Sequence, residues 1–188
     1  MMENTNKLYM IMLGCRPKGR HTEQHDIFFG IGKSLKELIP EMKAFWPEAK
    51  GRIHIDAWRE VTAVDQFKIE VVAKETITES KSQLFFINLG GYKENEFEEY
   101  HYKVLAVGDS LSEATKKAKA TSFYKHYGFK GAISHIDDKF GIDIDDLYNV
   151  KEILSLNLIE QFELQITPME SIAEDELHIG YLKIDKIK

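Results

Sequence analysis

A stretch that occurs twice decides the fold of this chain: LYMIMLGCRPKGRHTEQHDIFFGIGKSL at Leu8–Leu35 and LFFINLGGYKENEFEEYHYKVLAVGDSL at Leu84–Leu111. The two stretches align without a gap, and each residue of the first lies 76 positions before its counterpart in the second. Self-similarity of this length at a fixed distance indicates an internal duplication. Two copies are too few for a solenoid, so the sequence predicts two like domains or one pseudo-symmetric body.

Each copy begins with a predicted pair of strands that a long loop connects. Near-continuous apolar runs are typical of strands buried on both faces, and they occur at Leu8–Leu13 and Leu84–Leu89. Second strands are predicted at Asp26–Ile31 and Tyr102–Val107.

A helix is predicted after the second strand of each copy. The motif Ser-x-x-Glu begins at Ser34 and again at Ser110, where the serine oxygen caps the first turn and the glutamate reaches back. Pro40 lies inside the first helix and is expected to kink or restart it. The second helix is expected to run from about Leu111 to a stop at Gly128.

A third strand is predicted around a repeated triplet, His54-Ile55-Asp56 and His135-Ile136-Asp137, which recurs at a distance of 81 residues. In copy one, Phe67–Val72 alternates as a further strand. In copy two, two alternatives compete for that strand, namely Tyr148–Ile153 and Gln161–Ile166. A last strand at Leu177–Ile184 predicts that a C-terminal β-hairpin follows Leu154.

The predicted fold class is α+β, with two homologous β-β-α-β-(β) units in tandem and a C-terminal β-hairpin. We expect residues 1–80 to form the first unit, and residues 81–188 the second unit with the hairpin. One helix layer covers one face of each sheet. The sheet of the other copy, or another subunit, is then expected to cover the second face, which would make one pseudo-symmetric body.

Composition places the chain among compact globular proteins. It has 188 residues, of which 43% are hydrophobic and 30% charged, and this excludes a disordered or collagen-like chain. Cys15 is the single cysteine, so no internal disulfide forms, and a reducing, cytoplasmic location is expected. No apolar run is long enough for a transmembrane helix, so no membrane association is expected.

The repeated pattern resembles a small bacterial family catalogued as domain of unknown function 1543. In that family a strand ending in LG[GC] leads through a long loop to a histidine and then to G-x-S-L. The match here covers Leu8–Val72 and Leu84–Ile153, which is most of the chain. The resemblance implies that the domain occurs in tandem copies, and it implies no catalytic residue.

The two copies differ most in the charge of their first loops. The loop of copy one is basic and contains Arg16, Lys18 and Arg20, whereas Lys93–Glu99 of copy two is acidic. A basic loop with a glycine could bind an anion or an RNA backbone. The alternative is a solvated loop, or one that pairs with the acidic loop. A sequence pI near 5.7 opposes general nucleic-acid binding.

Pairs of histidine and carboxylate residues form the sharpest candidate site, and they too occur twice. Spacing by two places both members of a pair on one strand face, and imidazole with carboxylate suits zinc, iron or manganese. These side chains could equally have structural roles, because no compact ligand motif supports a divalent-metal cofactor. The candidate metal ligands are Glu23, His25, His54 and Asp56 in copy one, and Glu99, His101, His135 and Asp137 in copy two.

Three functions remain open at this point. The leading interpretation is a non-enzymatic binding or assembly module with a protein partner, or a homo-oligomer such as a homodimer, because no catalytic set stands out. A Cys15–His21 nucleophile is disfavoured because the counterpart of Cys15 is Gly91, which indicates a need for a small residue there. The first alternative is a metal-binding protein or metal-dependent enzyme that uses the duplicated pairs. The second is anion or RNA binding through the basic loop.

Overall fold

The computed structural model describes residues 5–76, 81–92, 95–120 and 142–188. The chain divides into two compact units, one of Met1–Thr78 with Leu154–Lys188 and the other of Glu79–Ile153. Both units combine antiparallel sheets with short helices, so the predicted α+β class is confirmed. Among the helices of the described ranges, none has the length and apolar character needed to cross a bilayer.

The main sheet of the first unit has four antiparallel strands in the order β10-β3-β1-β2. Its central strand β1 pairs with β2 on one side and with β3 on the other. β10 comes from the far end of the sequence and pairs with β3. The bounds are β1 Lys7–Cys15, β2 Gln24–Gly32, β3 His54–Glu60 and β10 His178–Lys183.

One face of this sheet packs against the helix α1, Ile39–Phe45. Every second residue of β1 points to that face and is buried there. The core contains Tyr9, Ile11, Leu13, Cys15, Phe28, Leu38, Met42, Ala49, Ile53, Ile55 and Ile184. Leu8, Phe29 and Ile31 belong to the opposite face and are also buried, as expected for a strand covered on both sides.

A smaller sheet completes the first unit. A tight turn at Asp65 and Gln66, both with positive φ, connects β4 (Ala63–Val64) to β5 (Phe67–Ala73). β5 also pairs with β9 (Phe162–Pro168), which follows the helix α4, Leu156–Gln161.

The second unit contains a three-stranded antiparallel sheet in the order β7-β6-β8. Its core gathers Phe85, Ile87, Leu89, Ala106, Ala114 and Ala118 under one helix. The bounds are β6 Gln83–Tyr92, β7 Glu99–Gly108, α2 Leu111–Lys119, β8 Ile142–Asn149 and α3 Val150–Ile153.

The two helices begin differently, although both follow a Ser-x-x-Glu motif. In α2 the Ser110 oxygen accepts a hydrogen bond from the Glu113 amide, and the Glu113 carboxylate accepts one from the amide of Asp109, the residue before the N-cap. Before α1 only the carboxylate half forms, from Lys33 N to Glu37. The helix then starts four residues later than that half-box predicts, at Ile39, because Pro40 fits its first turn. The predicted end of α2 near Gly128 lies outside the described residues.

The structure divides the chain differently from the sequence prediction. The prediction placed residues 81–188 together, whereas Leu154–Lys188 groups with the first unit. The predicted C-terminal hairpin is wrong as a pairing, since β9 pairs with β5 and β10 with β3. Each of these strands satisfies its backbone hydrogen bonds at an edge of the first unit's sheets, which local sequence patterns cannot reveal.

Candidate functional site

The first unit's site is centred on Gly14, near the end of the central strand β1. In the sheet register, Gly14 lies opposite His25 of β2 on one side and opposite His54 of β3 on the other. Directly opposed residues of antiparallel strands project to the same face. The two imidazoles therefore flank a position without a side chain, on the face opposite the α1 core.

Asp56 and Glu23 reach the same face by spacing of two along their strands. Asp56 follows His54 by two residues, and the intervening Ile55 points into the α1 core. A β-bulge lies there, because Leu13 pairs with Ile55 and Met12 with Ala57, which leaves Asp56 as the extra residue. Glu23 precedes His25 by two residues, just before β2 begins.

The four side chains converge on one point. Asp56 Oδ2 lies 3.3 Å from His25 Nε2 and 3.2 Å from His54 Nε2. Glu23 closes the group, with its carboxylate oxygens 3.2 Å from His54 Nε2 and 3.9 Å from His25 Nε2. Each imidazole nitrogen therefore lies beside both carboxylates, although among the described residues it is the second unit that holds three ligand atoms all within 4.8 Å of one another.

Two atoms of this cluster are buried without a hydrogen bond. His54 is 8% exposed, and His54 Nε2 and Asp56 Oδ2 have no hydrogen-bond partner although they lie 3.2 Å apart. Burial of a polar atom without a partner costs about 1–3 kcal/mol, and a bound ion or water is one arrangement that removes this cost. Glu23 and His25, in contrast, are each about half exposed, which leaves one side of the cluster accessible.

Gly14 provides the space in which these atoms meet. A Cβ at this position would overlap both Asp56 Oδ2 and His54 Nε2, and these are the two atoms without hydrogen bonds. The counterpart Gly90 has the same property, since a Cβ there would overlap the carboxylate of Asp145. The glycine that the sequence repeats is thus required by the site as well as by the strand.

The distances between neighbouring atoms of this cluster resemble those between adjacent ligands of a metal ion. Metal–nitrogen and metal–oxygen bonds of about 2.0–2.2 Å place neighbouring ligand atoms roughly 3.3 Å apart in a tetrahedron. Three of the four measured separations are 3.2–3.3 Å. Two imidazoles with two carboxylates form a donor set that suits zinc, iron(II) or manganese.

The second unit carries a related cluster. Ligand atoms of Glu99, His101 and Asp145 all lie within 4.8 Å of one another, and His101 Nε2 is 3.2 Å from Asp145 Oδ2. Tyr92 donates a hydrogen bond of 2.7 Å to Glu99, and this bond, with burial, raises the pKa of the Tyr92 hydroxyl. The tyrosine thus stays protonated and orients the carboxylate.

The register identifies which residues of the two units correspond. Gly90 lies opposite His101 and Asp143, as Gly14 lies opposite His25 and His54. A bulge in the same place makes Asp145 the counterpart of Asp56. The predicted ligands His135 and Asp137 lie outside the described residues.

Sequence reasoning therefore missed one ligand of the second cluster, Asp145. The triplet Asp143-Ile144-Asp145 repeats the pattern of His54-Ile55-Asp56 with aspartate in place of the histidine. The sequence comparison instead matched His54-Ile55-Asp56 to the identical triplet that begins eight residues earlier, at His135. The apolar Ile144, which packs against the core, is the signal that would have placed this strand.

Two other candidates remain apart from the clusters. Cys15 is buried in the α1 core, and burial, followed by the charge of Glu23, raises the pKa of its thiol despite Arg52. A raised pKa opposes a role as nucleophile. Arg16, Lys18 and Arg20 are all exposed in the loop between β1 and β2, and their anion-binding role stays a prediction.

Comparison with known proteins agrees with this description of the fold. Residues 20–71, which include all four side chains of the first cluster, match the family model described as Domain of Unknown Function (DUF1543). Across 95% of this chain and 98% of the other, the fold is similar to the crystal structure of the protein Il1583 from Idiomarina loihiensis, with a TM-score of 0.62 and 22% identity. No curated protein matches the chain.

Proposed function

We propose that this chain, which carries a DUF1543 domain, is a protein that binds divalent transition-metal ions at a duplicated site. One observation carries the proposal: His54 Nε2 and Asp56 Oδ2 are buried side by side without hydrogen bonds, at separations that a bound ion produces. Among the three functions that the sequence leaves open, metal binding alone explains why these atoms meet over a glycine.

The donor set determines which ions fit the first site. Glu23, His25, His54 and Asp56 offer two nitrogen and two oxygen atoms, a mixture that favours zinc or iron(II) over magnesium and calcium. The half-exposed side of the cluster leaves room for water or another small ligand beside an ion.

The second site is expected to favour a harder ion. It has one histidine, His101, with the carboxylates of Glu99 and Asp145, so imidazole makes up a smaller share of its donors than in the first site. Replacement of imidazole by carboxylate shifts preference toward manganese or magnesium. The chain is therefore expected to bind two ions of different preference.

Metal content of untagged protein purified without chelator tests the proposal. We expect near-stoichiometric zinc or iron in the first site by mass spectrometry. Titration of the stripped protein should show tight binding that His25→Ala and Asp56→Asn each weaken at least about tenfold. Asp56→Asn keeps the shape of the side chain, so its loss of binding cannot be attributed to misfolding.

A histidine outside the clusters provides the matched control. His178 lies on β10, where it stacks on Trp58 with ring centroids 3.8 Å apart. His178→Gln removes an imidazole from the same unit and should leave the affinity unchanged. No metal in the purified protein together with no binding on titration would refute the proposal, as would equal losses in the control and the ligand variants.

A further inference from the structure

An open cleft of about 410 Å³ lies beside the proposed first metal site, and His54 is one of its lining residues. It is formed within the first unit by α1, the segment before β3, and β10 with the residues that follow it. Its volume is in the range of small-molecule sites. The side chains that matter for the argument are Lys43, Arg52, His54, Tyr181 and Lys183.

The lining of the cleft carries more positive than negative charge. Lys43, Arg52 and Lys183 line it and Asp185 is its one acidic residue, although the chain carries a net charge of −6. Among the described residues, none of the three cations forms a side-chain ion pair or hydrogen bond. Three unpaired cations around one concave surface attract an anion.

The remaining walls of the cleft are apolar and aromatic. Ile39, Ile53 and Ile184 contribute aliphatic surface. The ring of Tyr181 lies against that of His54, with centroids 4.5 Å apart, and Tyr181 is itself largely exposed. The two ring planes are tilted by 42°, and the exposed part of the Tyr181 ring offers aromatic surface to a ligand.

We infer that this cleft binds a small organic anion, with an apolar or aromatic body against Tyr181 and the isoleucines and a carboxylate or phosphate group held by Arg52 and Lys183. In the sheet register Lys183 lies directly opposite His54. The anionic group is thereby placed next to the residue that joins the cleft to the proposed metal site. The cations that hold the anion are not metal ligands, so the two proposals can fail separately.

Three phenyl compounds test whether binding depends on the charge of the ligand. Benzoate and benzamide have nearly the same shape and differ in charge. Phenyl phosphate, benzoate and neutral benzamide are titrated into chelator-treated and metal-loaded protein, with binding followed by the NMR signals of Tyr181 and the isoleucine methyl groups. Phenyl phosphate should bind most tightly, benzoate less tightly, and benzamide not measurably. Affinity for the two anions should fall as salt is added.

Substitution of the cations locates the binding. Arg52→Gln with Lys183→Gln should weaken phenyl phosphate binding at least about tenfold, because charge-assisted hydrogen bonds are lost. Lys186→Gln is the matched control, since Lys186 is an exposed lysine near Lys183 that does not line the cleft. Its effect should stay within about threefold.

Each outcome bears on one proposal. Salt-sensitive binding that the double variant removes supports the anion cleft. It does so even if the protein binds no metal. Absence of metal binding refutes the proposed function but leaves the anion cleft supported. Binding of benzamide as tight as benzoate overturns the inference. Two further results overturn it in protein that retains its metal. One is a failure to bind phenyl phosphate, and the other is binding of phenyl phosphate that the double variant leaves unchanged.

Discussion

Replacement of Gly14 by alanine tests the geometry of the first site without removing a ligand. A Cβ at this position would overlap His54 Nε2 and Asp56 Oδ2. In the metal-bound protein the ion holds both atoms in place, so neither can move aside. We expect Gly14→Ala to weaken metal binding by a factor of about 10–100, as for other changes that disturb ligand orientation, or roughly 1.4–2.8 kcal/mol.

The metal-free protein should tolerate the same substitution better. Alanine in a strand interior gains about 0.5–1 kcal/mol over glycine, which partly offsets the roughly 1–3 kcal/mol cost of crowding. The expected result is a free energy of unfolding lower by at most about 2.5 kcal/mol in the metal-free state. Metal titration calorimetry and urea denaturation, each on stripped protein, measure the two quantities separately.

Gly19→Ala is the control variant, because it should lower stability without filling the space in which the cluster's atoms meet. Gly19 has a φ of 85° and no atom near the position of a Cβ, so alanine there strains the loop between β1 and β2 but blocks nothing. Gly14→Ala protein that binds metal as tightly as the parent would refute the reasoning. An equal loss of affinity in Gly19→Ala would refute it as well.

Three further predictions concern stability. Burial, and then the charge of Glu60, raise the pKa of Tyr9 to about 12. The folded state therefore keeps a proton that the unfolded state loses above pH 10, so the free energy of unfolding should fall between about pH 10 and 12. Urea denaturation at each pH measures this fall, which should be smaller in Tyr9→Phe. Asp175 accepts bonds from the amide and hydroxyl of Thr62, so Asp175→Ala should lower the free energy of unfolding by about 1–3 kcal/mol. Ser110→Ala removes the cap of α2 and should lower the free energy of unfolding of the second unit by about 1 kcal/mol, as measured by hydrogen exchange of the α2 amides.

Local patterns predicted the strands of the first unit and the side chains that form its histidine–carboxylate cluster. The apolar runs located β1 and β6 to within three residues at each end, because burial on both faces gives continuous apolar sequence. Spacing by two placed each histidine and carboxylate pair on one face. The glycine between the histidines was visible as a repeated residue, but its role depends on the register of three strands.

Long-range pairing could not be predicted in the same way. The partner of an edge strand is chosen by unpaired backbone groups elsewhere in the fold, so nothing in the sequence of β10 indicates β3. The match of Asp145 to Asp56 depends likewise on a bulge, because one extra residue in β8 decides which side chain reaches the site.

The pairing of β10 with β3 sets an order of assembly during synthesis. Between the end of β3 and the start of β10 the ribosome adds roughly 120 residues, which takes about 6–24 s at common elongation rates. The second unit is continuous in sequence and can fold within that interval. The edge of β3 that pairs with β10 stays unpaired until β10 emerges, so the cleft with Tyr181 and Lys183 is completed last.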